Sequence, residues 1–402
     1  MTNLAAAAHP ALARQQAQAD EFVAVRHDIH RHPELGFEEL RTSELVAERL
    51  AAWGYTVTRG IGGTGLVGQL KRGTGGKRLG IRGEMDALPI QEATGLPYAS
   101  QHAGRMHACG HDGHTTMVLA AAKQIAEHGR FSGTLNLIFQ PAEEGLAGAR
   151  RMMDDGLFER FPCDAVFAMH NMPGYPQGQM LFRDGAMMAS SDNLDILIEG
   201  RGGHGAMPHE AADPVVAGAA IVMGLQSIVS RNVGPLQSAV ITVGAFQAGE
   251  ARNVIAQTAT LRLSVRTLDR AVRQLVAERI RTLTESTAIA YGVRATVTRA
   301  GGYPVLVNTP AEVALARQVG LELLGESGVI LDAPPMTASE DFAFMLEEVP
   351  GSYMFIGNGD GSADGHGICM VHNPGYDFND ANLPVGAAYW ALLTERFLSE
   401  SA

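Results

Sequence analysis

Five side chains able to bind a metal ion fall within eight residues: His107, Cys109, His111, Asp112 and His114, in the run His-Ala-Cys-Gly-His-Asp-Gly-His. Thiolate and imidazole suit zinc and other borderline transition metals, and Gly110 and Gly113 leave the backbone pliable enough to gather them. Cys109 and His111, two apart, fit a pair of ligands on an extended or looped segment. Taken singly, each residue reads more simply as a core cysteine or a surface histidine; the density and the glycine spacing favour metal. A closed structural zinc site would ordinarily show Cys-x-x-Cys pairs, and the sequence has none. Glu143-Glu144 adds two adjacent carboxylates, costly at the end of an apolar strand unless a cation or a proton balances them. One can bind metal while the other acts as general base toward a water whose pKa the cation lowers to about 7. His170 and His372 are weak signals individually, and His366 and Cys369 compete with His372 within the loop 365–375. Arg252-Asn253 offers a guanidinium that can hold a carboxylate in bidentate fashion. His204 lies in Gly-Gly-His-Gly-Ala-Met-Pro-His, which spacing alone leaves as a surface turn. The set points to a hydrolytic centre on two divalent cations.

These groups need a rigid frame. Periodicity predicts helices over 13–31 and 38–53, strands over 55–58, 64–69 and 78–82, a loop over 106–114 and a helix over 114–128. The apolar runs 134–139 and 165–169 read as strands covered on both faces, with a short helix over 146–153 between them. Asp86, Glu143-Glu144 and His170 would then follow three strand ends, where sites collect in open α/β sheets. The pattern changes near Met187. Strands over 192–199, 238–246, 254–268 and 293–299, with helices over 214–229 and 271–290, give the strand-helix-strand-strand-helix-strand order of a ferredoxin-like unit. A helix over 311–324, a strand over 352–356 and a closing helix over 383–398 complete the chain. The expected fold class is α/β: a metal-binding catalytic domain with a central mixed sheet over 1–187 and 303–402, and an inserted ferredoxin-like α+β dimerisation or lid domain over 188–302.

Composition narrows the partners. A chain of 402 residues with 46% hydrophobic and 18% charged residues is folded and holds roughly two domains. A net charge of −12 argues against nucleic acid and anionic membrane. The longest apolar run, 215–225, falls short of the ~18 residues of a membrane span. The alanine-rich start lacks the basic segment and apolar core of a signal peptide and is expected to fray. Cys109, Cys163 and Cys369, an odd number without framework spacing, suit a reducing cytoplasm.

Six stretches together resemble the aminoacylase–carboxypeptidase superfamily of dinuclear metallohydrolases. They are His30-Arg31-His32-Pro33-Glu34-Leu35, Gly83-Glu84-Met85-Asp86-Ala87-Leu88-Pro89, His107 to His114, Phe139-Gln140-Pro141-Ala142-Glu143-Glu144-Gly145, Gly203-His204-Gly205-Ala206-Met207-Pro208-His209 and His372-Asn373-Pro374. The nearest resemblance is to the branch of hippurate hydrolase, plant indole-acetyl-amino-acid hydrolases and bacterial N-acyl-amino-acid amidohydrolases, and it spans nearly the whole chain. It implies metal ligands at Cys109, His111, Glu144, His170 and His372, a catalytic base at Glu143, and a histidine, His204, that the smaller domain lends to the active site, in relatives often that of the partner subunit. It further implies substrate contacts at Arg252 and Asn253, and a homodimer or higher homo-oligomer through the inserted domain. Where the wider superfamily has a His-x-Asp triplet this chain has Glu84-Met85-Asp86, so that metal ligand is missing and Asp86 stands behind the ligands. Two divalent ions per subunit are expected; the thiolate favours zinc, with manganese the alternative.

The implied reaction is hydrolysis of the amide of an N-acyl, in particular an aromatic-acyl, amino acid. Glu143 deprotonates the attacking water and returns the proton to the leaving amine, while the cations and His204 stabilise the oxyanion. A metallo-exopeptidase or dipeptidase with the same centre is the rival within enzymes. A binding protein that kept the fold without catalysis is the rival outside them.

Overall fold

The computed structural model describes residues 9–362 and 366–399, so the alanine-rich start and Gly365 lie outside the described residues. The chain divides into two compact units: Met1–Gly185 with Val307–Pro334 and Phe344–Ala402, and Ala186–Leu306 with Pro335–Ala343.

The first unit opens with α1 (Pro10–Gln16), α2 (Ala19–Arg31) and α3 (Leu40–Ala52), then β1 (Thr56–Ile61), β2 (Gly65–Arg72) and β3 (Arg78–Glu84). It continues with α4 (His111–His128), β4 (Gly133–Gln140), α5 (Gly148–Asp154), α6 (Leu157–Arg160), β5 (Ala165–Met172) and β6 (Met180–Leu181). The stretch β7 (Gly185–Met188), β8 (Ser190–Glu199), β9 (Gly203–His204), α7 (Pro214–Asn232), β10 (Ala239–Ala248), β11 (Val254–Ile255), β12 (Thr258–Thr267), α8 (Arg270–Ala290), β13 (Arg294–Tyr303) and β14 (Leu306–Asn308) follows. The first unit closes with α9 (Pro310–Leu324), β15 (Val329–Ile330), α10 (Ala343–Glu348), β16 (Gly351–Gly357) and α11 (Asn382–Phe397).

An eight-stranded mixed sheet in the order β1-β2-β4-β3-β5-β16-β6-β15 forms the first unit's spine. β4, β3, β5 and β16 run parallel at its centre, with Glu84 opposite Gln140 and His170 opposite Phe355. Leu137, Phe139, Phe167 and Met354 are fully covered or nearly so, each such side chain stabilising the fold by ~1.5–3 kcal/mol. That buried core makes the strand ends a rigid ledge. α4 and α11 pack on each other so closely that a Cβ at Gly386 would lie 2.1 Å from the Met117 sulfur.

In the second unit β10, β12, β8 and β13 are hydrogen-bonded in that order, all antiparallel. With α7 and α8 between them in sequence this is the ferredoxin-like topology. Ile196, Ile198, Ile221, Leu225, Leu261, Val276 and Ile280 form its separate core.

Several expectations need correcting. The single helix expected over 13–31 is two, because Pro10 starts α1 early and Gln18 leaves helical geometry. Gln15 is buried and donates to the Ala120 carbonyl at 3.0 Å, a long-range bond that periodicity does not carry. The strand expected over 254–268 is broken at residue 257, where the Gln257 side chain donates to Gly200 and accepts from the Gly202 N–H, at 2.7 and 3.0 Å. Finally, α7 is long and apolar enough to cross a membrane, with a mean hydropathy of 1.4, the one such helix among the described residues. Its Ala217, Ile221, Leu225 and Ile228 fill the second unit's core.

Candidate metal centre

α4 starts at His111, three residues earlier than expected, so the ligand-rich run is only in part a loop. Gly110 takes φ +92° as the helix N-cap, a left-handed backbone that favours glycine. A Cβ there would stand 2.4 Å from the Asn171 amide nitrogen and 2.5 Å from the Tyr376 hydroxyl. His111, Asp112 and His114 therefore lie on the first turn of α4, and Cys109 precedes its cap. β5 likewise extends past its expected end, so His170 lies within the strand.

The His111 and His170 imidazoles are each fixed by the second nitrogen, an arrangement typical of metal-binding histidines. His111 Nδ1 faces two acceptors, the Asp86 carbonyl at 2.9 Å and the Asp86 carboxylate at 3.1 Å, and so carries the proton. Its buried Nε2 has no hydrogen-bond partner. His170 Nδ1 donates to the Asn171 carbonyl at 2.6 Å, leaving Nε2 3.2 Å from the Cys109 sulfur. His372 is tethered by its backbone N–H, which donates to the Ala108 carbonyl at 2.7 Å, and its Nε2 lies 3.1 Å from Glu144 Oε1. Asp86 does double duty: beyond orienting His111 it accepts the Glu144 N–H at 2.9 Å.

Ligand atoms of Cys109, Glu144 and His372 lie within 4.8 Å of one another, as do those of His111, Glu143 and Glu144. The two triads share Glu144, and His170 adjoins through Cys109. In the loop over 366–375, His372 is in such a group; His366 and Cys369 are in none among the described residues. A third group, Glu84, His111, His114 and His170, contains Glu84, which the sequence reading did not single out as a ligand, and His114, which it counted in the ligand-rich run but not among the five implied ligands. Glu84 pairs with Arg82 at 2.5 Å and lies 3.3 Å from His114 Nδ1; His114 Nε2 accepts the Asn171 N–H at 2.9 Å. Both residues stood inside quoted motifs, but only the fold shows them facing each other.

The electrostatics fit a dication. Burial first, and then the Glu144 and Glu143 carboxylates, push the Cys109 thiol well above its ordinary range. Burial opposes charge on His111 too, yet Asp86 outweighs it and raises the imidazole to about 10. Burial and then His114 drive His170 far below the usual imidazole range. A buried thiol and two carboxylates crowded together, with the buried Nε2 of His111 lacking a hydrogen-bond partner, form a donor set that a divalent cation would satisfy.

His204, Arg252 and Asn253 belong to the second unit, where β9 pairs with β11 and His204 sits opposite Val254. The Asn253 carbonyl accepts the Gly205 N–H at 2.8 Å, and all three side chains are exposed.

The sequence matches peptidase family M20/M25/M40 over residues 80–396. The chain belongs to this family. It is 47% identical over 378 residues to the hippurate hydrolase of Campylobacter jejuni, covering 94% of this chain and 97% of that one. It is 39% identical over 347 residues to the N-acetyl-L-cysteine deacetylase of Bacillus subtilis, covering 86% and 82%. Among solved structures, the YXEP protein of Bacillus subtilis, described as a dinuclear metal-binding peptidase of the M20 family, superposes with a TM-score of 0.82 at 32% identity, over 95% of this chain and 99% of that one. The chain is thus a metal-binding hydrolase of amide bonds, with the mixed α/β fold expected.

Proposed function

We propose that this enzyme is a metal-dependent amidohydrolase that cleaves N-acyl amino acids, in particular aromatic-acyl ones, to a carboxylic acid and a free amino acid. The names of its relatives support the substrate class: a hippurate hydrolase, an N-acetyl-L-cysteine deacetylase and an IAA-amino acid hydrolase. The observation that carries the reading is the pair of carboxylates at the end of β4, both within reach of His111.

Cys109, His111, Glu144, His170 and His372 would hold two divalent ions. Bound there, the ions would polarise the scissile carbonyl and make water acidic enough to ionise near neutral pH. Zinc suits the thiolate best and manganese is the alternative. Glu143 accepts the proton of the attacking water and later delivers it to the leaving amine nitrogen. Asp86 keeps the His111 proton on Nδ1 and holds the loop backbone at Glu144. His204, supplied by the inserted domain over 188–302, donates to the developing oxyanion, and Arg252 with Asn253 holds the substrate carboxylate. The same domain is the proposed surface for a homodimer, supported by β10, an edge strand with Val240 and Phe246 exposed. Three unpaired cysteines support a cytoplasmic setting.

The test is a screen of benzoyl, acetyl and indole-acetyl amino acids against dipeptides with a free amine. Preference for the dipeptides would replace this reading with an exopeptidase. No turnover of any amide by the metal-loaded enzyme would leave a binding protein.

A further inference from the structure

The loop that carries Glu143 and Glu144 is held in an unfavourable conformation. Ala142, fully buried, has φ +52°, a left-handed backbone that an alanine rarely adopts. Its N–H is aimed away from the sheet ladder and donates at 2.8 Å to Oε1 of Glu39, which is also fully buried. Oε2 of Glu39 receives the Thr64 hydroxyl at 2.5 Å. The next two N–H groups, of Glu143 and Glu144, go to Asp86. Three consecutive backbone donors thus end on two buried carboxylates. Asp86 comes from the chemistry-bearing end of β3; Glu39 comes from the N-cap of α3, on no element of the metal centre.

We propose that Glu39 is a positioning residue for the hydrolysis: it holds Ala142 in the left-handed conformation that turns Glu143 and Glu144 toward His111. This rests on the roles proposed above for those two carboxylates. Burial first pushes Glu39 up to about 7, against the pull of the Thr64 and Ala142 bonds. A hydroxyl can donate to a carboxylate or accept from a carboxylic acid, so Thr64 satisfies Glu39 in either charge state. The clamp therefore requires hydrogen-bond geometry at this position, not charge. A glutamine would satisfy it, with its oxygen toward Ala142 and its amide toward Thr64.

Three variants separate positioning from mere packing. Glu39→Leu fills similar space without polar atoms; a displaced reacting group of this kind lowers kcat by ~10–100-fold with KM within about threefold. Glu39→Gln should stay within about threefold of the parent in kcat, since both hydrogen bonds can be remade. Glu39→Leu combined with Ala142→Gly should recover about fivefold or more over Glu39→Leu alone, because glycine adopts the left-handed conformation unaided. Hydrogen exchange of the metal-free proteins gives a readout independent of catalysis: amides in 142–144 should exchange about tenfold faster in Glu39→Leu and near the parent rate in Glu39→Gln. Parent enzyme inactive on N-acyl amino acids would sink the functional reading while the exchange result still judges Glu39. Unchanged exchange in Glu39→Leu, kcat within twofold, or no recovery on adding glycine would overturn the proposal. Should Glu39→Leu fail to fold, Thr64→Val is read the same way, with a kcat loss of about 3–10-fold expected and a change under about twofold overturning it.

Discussion

Placing a methyl group at Gly110 tests how rigidly the ligand run is locked. Gly110→Ala forces alanine into φ +92°, which costs ~1–2 kcal/mol. The new Cβ would lie 2.4 Å from the Asn171 amide nitrogen and 2.5 Å from the Tyr376 hydroxyl, both impossible approaches. Those atoms cannot move freely. Asn171 Nδ2 donates to the Cys109 carbonyl at 2.6 Å, and Tyr376 donates to Asn171 Oδ1 at 2.8 Å, all in a buried site. Losing both bonds without water to replace them costs ~1–2 kcal/mol each. The total, ~3–6 kcal/mol, is a large part of the ~5–15 kcal/mol that holds a domain together. The urea midpoint of the metal-free protein should fall accordingly, and metal content after dialysis should drop, because Cys109 and His111 flank the altered residue. An alanine variant within about 1 kcal/mol of the parent, binding metal normally, would show that the Asn171–Tyr376 pair yields and that the reasoning is wrong.

Other consequences are equally open to measurement. Glu143→Ala should lower kcat by about 10²–10⁴-fold while metal content stays at the parent level; near-normal turnover would remove Glu143 from its role. Dialysis against a strong chelator should abolish activity, and added zinc or manganese should restore it, whereas a chelator-resistant enzyme would refute the metal requirement. His30 gives a pH signature: burial opposes its charge, but Asp112 at 2.8 Å outweighs burial and raises it to about 9. The folded state holds that proton more tightly than the unfolded chain, so its contribution is complete below pH ~6.5 and disappears as pH rises through about 9. Urea midpoints between pH 6 and 9.5 should therefore slope downward in the parent and flatten in His30→Gln; parallel curves would contradict this.

The parts of this molecule that the sequence made legible are those whose cause is local. Residues 134–139 and 165–169 announce covered strands because most side chains there are apolar, and they are the middle of β4 and the first five residues of β5. The order of the second unit follows from alternation and helical spacing in segments of ordinary length. The metal run was legible from residue type alone. What could not be read depends on partners far along the chain. The start of α4 at His111 rests on Asn171 and Tyr376 closing over Gly110. The break at residue 257 rests on a glutamine bonding to residues 200 and 202. Glu84 and His114 become neighbours only through the fold. Glu39 reads locally as a helix-entry acid, and its bond to Ala142 spans 103 residues.

The packing of α11 on α4 has a bearing on biosynthesis. From Thr115 to Ala122 no face of α4 meets water once folding is complete, and the close fit at Gly386 against Met117 supplies part of that cover. Translation delivers Gly386 some 270 residues after Met117, at ~5–20 residues per second, so for roughly 13–54 seconds the nascent polypeptide carries a greasy helix with no lid. Nascent chains of this enzyme should accordingly recruit chaperones until α11 emerges to cover α4.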